Sequence, residues 1–130
     1  MKIAAITGIS PNVLSELKKG KPRTIELQSA HNIITLTDVL PGDHIFMTEV
    51  DLDDLYPGDH GIIVDVMCIT INMKRMVEYI NPYYYEERER MSVRLKVKYV
   101  DKTIARNIDG KEWAKPTQVE IVKSSVFHAG

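Results

Sequence analysis

MSVRLKVKYV, residues 91–100, is the stretch on which the fold turns. Met91, Val93, Leu95, Val97 and Tyr99 alternate with Ser92, Arg94, Lys96 and Lys98. That two-residue period belongs to a strand with one face on a core and the other in water. Working outward, TIELQ (24–28), NIITLT (32–37), HIFMTEV (44–50) and GIIVDVMCITI (61–71) are rich in β-branched residues and separated by turn signals. KIAAIT (2–7) and TQVEIV (117–122) read as two further strands. One helix is expected, over 11–19: Ser10 as cap, Pro11 at the first helical position, Lys18 and Lys19 in the last turn, and Gly20 just after it. Two stretches stay open. NMKRMVEYI (72–80) fits either a helix, through Met73, Met76, Val77 and Ile80, or an extension of the preceding strand. NPYYYEERER (81–90) reads as a turn with a short helical or irregular excursion, and NIDGKEWAKP (107–116) as a loop. The sum is an α+β, mostly-β fold: a small β-barrel with one N-terminal helix.

The 130 residues suit a single domain, 1–130, with one core. A hydrophobic fraction of 44% with 27% charged residues is ordinary for a soluble protein, and no apolar run reaches the roughly 18 residues of a membrane helix. The first residues are too weakly apolar for a secretory signal, and a single cysteine, Cys68, excludes an internal disulfide. Cys68 is expected as a small core residue. A cytoplasmic protein without a membrane partner is the simplest reading. The net charge of −1 conceals a division. Between Thr24 and Met73 there are nine acids and no lysine or arginine, while all 17 basic residues lie outside. Such segregation implies a dipolar surface, provided folding does not interleave the segments, and would suit contact between copies of the chain.

PGDH occurs twice, at 41–44 and 57–60. Pro then Gly fits the central positions of a type II turn, and Asp bonds backbone N–H groups at such turns. A turn before a strand accounts for three of the four residues. A metal reading would need His44 and His60 to converge on one ion with a carboxylate, so the turn is expected and no cofactor is assigned. The acids of EVDLDD (49–54) lack the glycine and terminal glutamate of an EF-hand loop and read as a solvated loop over Leu52 and Leu55.

The basic residues carry more information. Arg88, Arg90, Arg94, Lys96, Lys98 and Lys102 share one parity, so an unbroken strand places them on one face. A solvated sheet face is polar in any case. Their company is what points further: Tyr83, Tyr84 and Tyr85 precede the strand, and Lys18, Lys19, Lys21 and Arg23 form a second cluster. Cations neutralise phosphates and aromatic rings stack bases, a mixture suited to RNA or another single strand. Trp113 would be a further stacking platform or an anchor for its loop.

GKPRTIELQ (20–28) resembles the start of ASCH domains, members of the PUA-like β-barrel superfamily, whose pattern is a short helix and then G-x-K-T-x-E-x-R entering a strand. Here the counterparts are helix 11–19, Gly20, Arg23 near the lysine position, Thr24 and Glu26. The chain departs in one extra residue before Thr24, in Arg23 for lysine (Lys21 is the alternative) and in Gln28 for arginine. PGDHIFM resembles the turn opening the next barrel strand of that superfamily. Over nearly its whole length the chain also resembles a small archaeal family known only as a domain of unknown function. The ASCH resemblance implies a cleft between helix and barrel mouth lined by Lys21 or Arg23, Thr24 and Glu26. It implies RNA binding first, with hydrolysis of RNA or a modified nucleoside in a minority of members. In such a hydrolase Thr24 or a water attacks, Lys21 activates it or steadies the anion, and Glu26 shuttles protons.

The leading expectation is therefore a module that binds RNA or a nucleotide through Lys18, Lys19, Arg23, Tyr84, Arg90, Arg94, Lys96 and Lys98. The alternatives are a small nucleoside hydrolase using Lys21, Thr24 and Glu26, and a metal protein using His44 and His60.

Overall fold

The computed structural model describes residues 2–112 and 115–122. Six strands and two helices follow one another as β1 (Lys2–Ile6), α1 (Pro11–Leu17), β2 (Arg23–Leu27), α2 (Ala30–Leu36), β3 (His44–Met47), β4 (His60–Asn81), β5 (Tyr84–Asp109) and β6 (Gln118–Ile121), with a 3-10 turn at Leu52–Asp54 between β3 and β4. The strands form one sheet in the order β2-β5-β4-β3-β1-β6, and β6 pairs back to β5. Five strands thus close a ring, with β2 added to β5 beyond it. The fold is mostly β, as the alternation over 91–100 requires.

Two long strands organise everything else. β4 and β5 pair from His60↔Ile104 to Asn81↔Tyr84, and β5 serves different partners along its length. Residues 93–97 hold β2 and residues 105–109 hold β6. Residues 84–92 pair with β4 alone, so the far end of the hairpin is a two-stranded arm. The core lies mainly between one sheet face and the helices: Ile45, Val64, Val66, Val93, Leu95 and Val97 meet Leu14, Leu17, Ile33 and Leu36. A second cluster, with Ala5, Phe46, Ala105 and Val119, fills the opposite face. Gly61 permits this packing, because a Cβ there would lie 2.5 Å from the Phe46 ring and the Met47 carbonyl.

Both PGD turns form as expected, and they form identically. Gly42 and Gly58 take φ of 97° and 101°. The amides of Asp43 and Asp59 donate to the carbonyls of Leu40 and Tyr56, whose own amides donate to Oδ2 of Asp43 and Asp59 at 2.9 and 2.8 Å. Each turn then docks on the next strand. Gly42 donates to Val66 O while Val66 donates to Asp43 O; Gly58 donates to Ala105 O while Ala105 donates to Asp59 O. The repeat is one strand-starting device used twice.

Several expectations need correction. Residues 32–36 belong to a second helix, not a strand. Ser29 Oγ accepts from the Asn32 amide, and Ile33 and Leu36, three apart, bury one face, which outweighs the β-branched composition. The first helix stops at Leu17, so Lys18 is its cap residue rather than part of its last turn, and Ser10 makes no side-chain cap bond. Residues 72–80 are strand, 84–90 are strand with no helical excursion, and β5 runs on to Asp109 through the start of the expected loop. Cys68 is exposed, not core. A register shift between Val66 and Cys68 reverses the parity of β4, so the even residues that faced the core before it face solvent after it.

Candidate nucleic-acid interface

Alternation in β5 buries Val93, Leu95 and Val97 and turns Arg94, Lys96 and Lys98 to solvent. β2 obeys the same rule beside it, with Leu27 buried and Thr24 and Glu26 exposed. The β2–β5 register sets Thr24 opposite Lys96 and Glu26 opposite Arg94. On the other side of β5, Thr70 stands opposite Arg94, Cys68 opposite Lys96, and Asp65 opposite Lys98. β3 extends the last row, pairing His44 with Asp65, where His44 Nε2 meets the Asp65 carboxylate. Rows recur about every 6.8 Å along a strand and files about every 4.8 Å across the sheet. The result is a polar grid with Arg94, Lys96 and Lys98 down its middle.

Past the end of β2 the same face continues with Lys74 opposite Arg90 and Met76 opposite Arg88. Where β2 ends, α2, β4 and β5 border a groove of about 790 Å³, which also takes in Glu89 and Met91 from the opposite face of β5. Glu26, Gln28, Lys74, Arg90 and Ser92 line it with polar groups, and Ile33 and Ile34 of α2 give it an apolar side. That volume is within the range of small-molecule sites. Among the described residues, none of Glu26, Lys74, Arg90, Arg94, Lys96 and Lys98 is engaged in a salt bridge.

The acidic middle of the chain sets a carboxylate opposite two of the three central cations, Glu26 across from Arg94 and Asp65 across from Lys98. Of its nine acids only Glu26 and Asp65 stand in the grid. Asp43 and Asp59 are spent on turn amides.

Other expected residues go elsewhere. Arg23 pairs with Val97, one residue out of phase with Thr24, and its guanidinium bonds Glu16 of α1 at 2.8 Å. Lys19 also binds Glu16 at 2.8 Å, and this hydrogen bond and charge, with Arg23 behind, hold the Glu16 carboxyl below the ordinary carboxylate value. Lys21 is exposed two positions before β2 begins. Lys18 borders a separate hollow of about 450 Å³ with His60 and Lys102. A second register shift, between Ile63 and Val64, is what removes Lys102 from the basic file. His44 borders another hollow, with Lys2 and Asp38. The two histidines thus begin neighbouring antiparallel strands at opposite ends of their ladder, since His44 lies level with Asp65 and not with His60. No three His, Cys, Asp or Glu side chains converge among the described residues.

The tyrosines do not join the grid as a trio. Tyr85 pairs with Tyr79 on the opposite face, ring centroids 5.8 Å apart, Tyr83 forms the turn, and Tyr84 is level with Asn81 at the tip. Trp113 lies outside the described residues. Sequence reading set Gln28 and Ser92 on the right faces without naming them as site residues, and it missed Asp65, Cys68, Thr70 and Lys74. Of those four, Lys74 was recoverable by parity, had 72–80 been read as strand.

The chain belongs to the family described as protein of unknown function DUF473, which matches residues 1–119. The full-length resemblance seen in the sequence is borne out. No curated protein and no solved structure matches the chain. No helix among the described residues is long and apolar enough to cross a membrane.

Proposed function

We propose that this member of the DUF473 family binds RNA or a nucleotide through the polar face of β2, β5 and β4. One observation carries the reading: Arg94, Lys96 and Lys98 form an exposed file that makes no salt bridge among the described residues and is continued by Arg90 and Lys74 at the groove that Glu26 and Gln28 also line. Phosphates would lie along the cations, and a base would enter the groove, where Glu26 and Gln28 meet its polar edge and Ile33 its face. The file itself has no aromatic residue, so affinity would come from phosphate contacts more than from stacking. A PUA- or ASCH-like identity accords with the helix–Gly20–Thr24–Glu26 sequence and with five strands in a ring.

The test is binding of labelled single-stranded RNA over a range of salt. Four phosphate contacts give a slope of log K against log salt of about −2.8, and Arg94→Ala/Lys96→Ala reduces it by about 1.4. Unaltered binding by the double variant sinks the reading. The pairing of Thr24 with Lys96 and Glu26 with Arg94 favours one second reading, a hydrolase of modified nucleosides in which Lys96 takes the part assigned to Lys21. The open, exposed position of these residues favours binding over chemistry, because charged groups are most effective where water is excluded. Turnover of a neutral nucleoside, lost in Glu26→Gln and insensitive to salt, would reverse that order.

A further inference from the structure

Three residues that the polar face does not use come together elsewhere. Lys18, His60 and Lys102 border one hollow of about 450 Å³, between α1 and the first residues of β4. The register explains how they meet. From His60↔Ile104 to Ile63↔Asp101 the ladder is unbroken, and Ile62 stands between Met47 of β3 and Lys102 of β5. Cross-strand partners share a face, and Ile62 and Met47 belong to the cluster that receives Leu14 and Leu17. Lys102 therefore stands on the helix side of the sheet, and so does His60, two residues before Ile62. From α1, Pro11, Leu14, Ser15 and Lys18 border the hollow as one stripe, spaced three and four apart. Glu16 takes both Lys19 and Arg23. Neither Lys18 nor Lys102 forms a salt bridge among the described residues.

We propose that this hollow binds a small phosphate monoester whose remaining part carries hydroxyl groups. Two cations from different elements repel one another across a shared hollow, and a doubly charged anion between them turns that repulsion into attraction. A phosphate monoester carries about two negative charges. Ser15 Oγ and the ring N–H of His60 supply further donors beside the two ammonium groups. Glu49, which also lines the hollow, sets the rest of the preference. Its carboxylate accepts a hydrogen bond from a hydroxyl and repels a second phosphate. The volume suits a small molecule, and Leu14 and Ile62 add an apolar surface for its carbon skeleton. The site shares no residue with the cation file, and Lys102 stands on the other side of the sheet from Arg94 and Lys96. None of Lys21, Arg23, Thr24 and Glu26, the residues of the cleft implied by the ASCH resemblance, lines it either. The two sites therefore stand or fall separately.

The experiment is titration of the whole chain, followed by amide NMR shifts at fixed ionic strength, with glycerol 3-phosphate, inorganic phosphate, pyrophosphate and glycerol. Glycerol 3-phosphate should bind more tightly than inorganic phosphate or pyrophosphate, and glycerol should not bind. Lys18→Ala and Lys102→Ala should each weaken it about tenfold or more, as loss of a charge-assisted hydrogen bond does. Their circular dichroism spectra should be unchanged, because both side chains are exposed. Glu49→Gln should narrow the margin over pyrophosphate, and Lys96→Ala should change nothing. Absence of binding overturns the proposal, as does binding indifferent to Lys18→Ala and Lys102→Ala, or pyrophosphate bound more tightly than the monoester. Weakened binding of labelled RNA by those two variants, with no small phosphate bound, would also overturn it and give the hollow to an RNA strand.

Discussion

The base and the arm of the β4–β5 hairpin carry the same alternation and meet different fates. At the base Val93, Leu95 and Val97 are wholly buried, while in the arm Met73, Tyr79 and Met91 stand on the continuation of that face in water. The strands themselves do not differ; what lies over them does. Leu14 and Leu17 of α1 and Ile33 and Leu36 of α2 cover the base, and among the described residues no element covers the arm. Period 2 sorts side chains onto faces, but burial needs a second layer. The polar face shows the same lesson in reverse, because β2 is what brings Thr24 and Glu26 alongside its cations.

The comparison breaks most sharply on a pair of truncations. Leu95→Ala should cost about 2–5 kcal/mol in urea unfolding, from lost transfer energy and a cavity. Met73→Ala, measured where the chain is dilute, should cost within about 0.5 kcal/mol. A loss of several kilocalories for Met73→Ala would mean that the arm is covered within its own chain, and the contrast would fall.

A smaller effect sharpens what the base shares with itself. Gly42→Ala and Gly58→Ala place a Cβ in open space at φ of 97° and 101°. Only backbone strain opposes them, so each should cost about 1 kcal/mol and the two should match. Clearly unequal unfolding free energies would show that the two turns are not equivalent supports.

The smallest effect belongs to the body alone. His31 is partly buried, its Nε2 lies 2.6 Å from Thr117 Oγ1, and burial pushes its pKa below the ordinary histidine value. As pH falls, the unfolded chain takes up that proton first, so stability drops below about pH 6.5 and is level above it. His31→Gln should flatten that slope in melting temperature against pH. An unchanged slope would assign the acid sensitivity to other groups.

Much of this was legible in the sequence where the signal is local. Strands at 2–6, 23–27 and 118–121, the helix opening at Pro11 and both PGD turns follow from period, proline and glycine within a few residues. The second helix was not legible, because Ile33, Ile34 and Thr35 look like strand until Ser29 is seen to cap them and the sheet to receive Ile33 and Leu36. Parity was readable only between the register shifts. It held from Arg88 to Lys98, and it failed at Lys102 and Cys68, where one extra residue changes the face.

By itself, then, the sequence determined which residues alternate, where the chain turns and which segments hold the charge, since these depend on neighbours in the chain. Tertiary structure alone decided that Glu26 stands opposite Arg94, that Arg23 serves Glu16 instead of a ligand, that the two histidines are kept apart, and that half of a long hairpin is left uncovered. Those facts depend on strand order and register, and the free energy that sets them comes from contacts between residues distant in sequence.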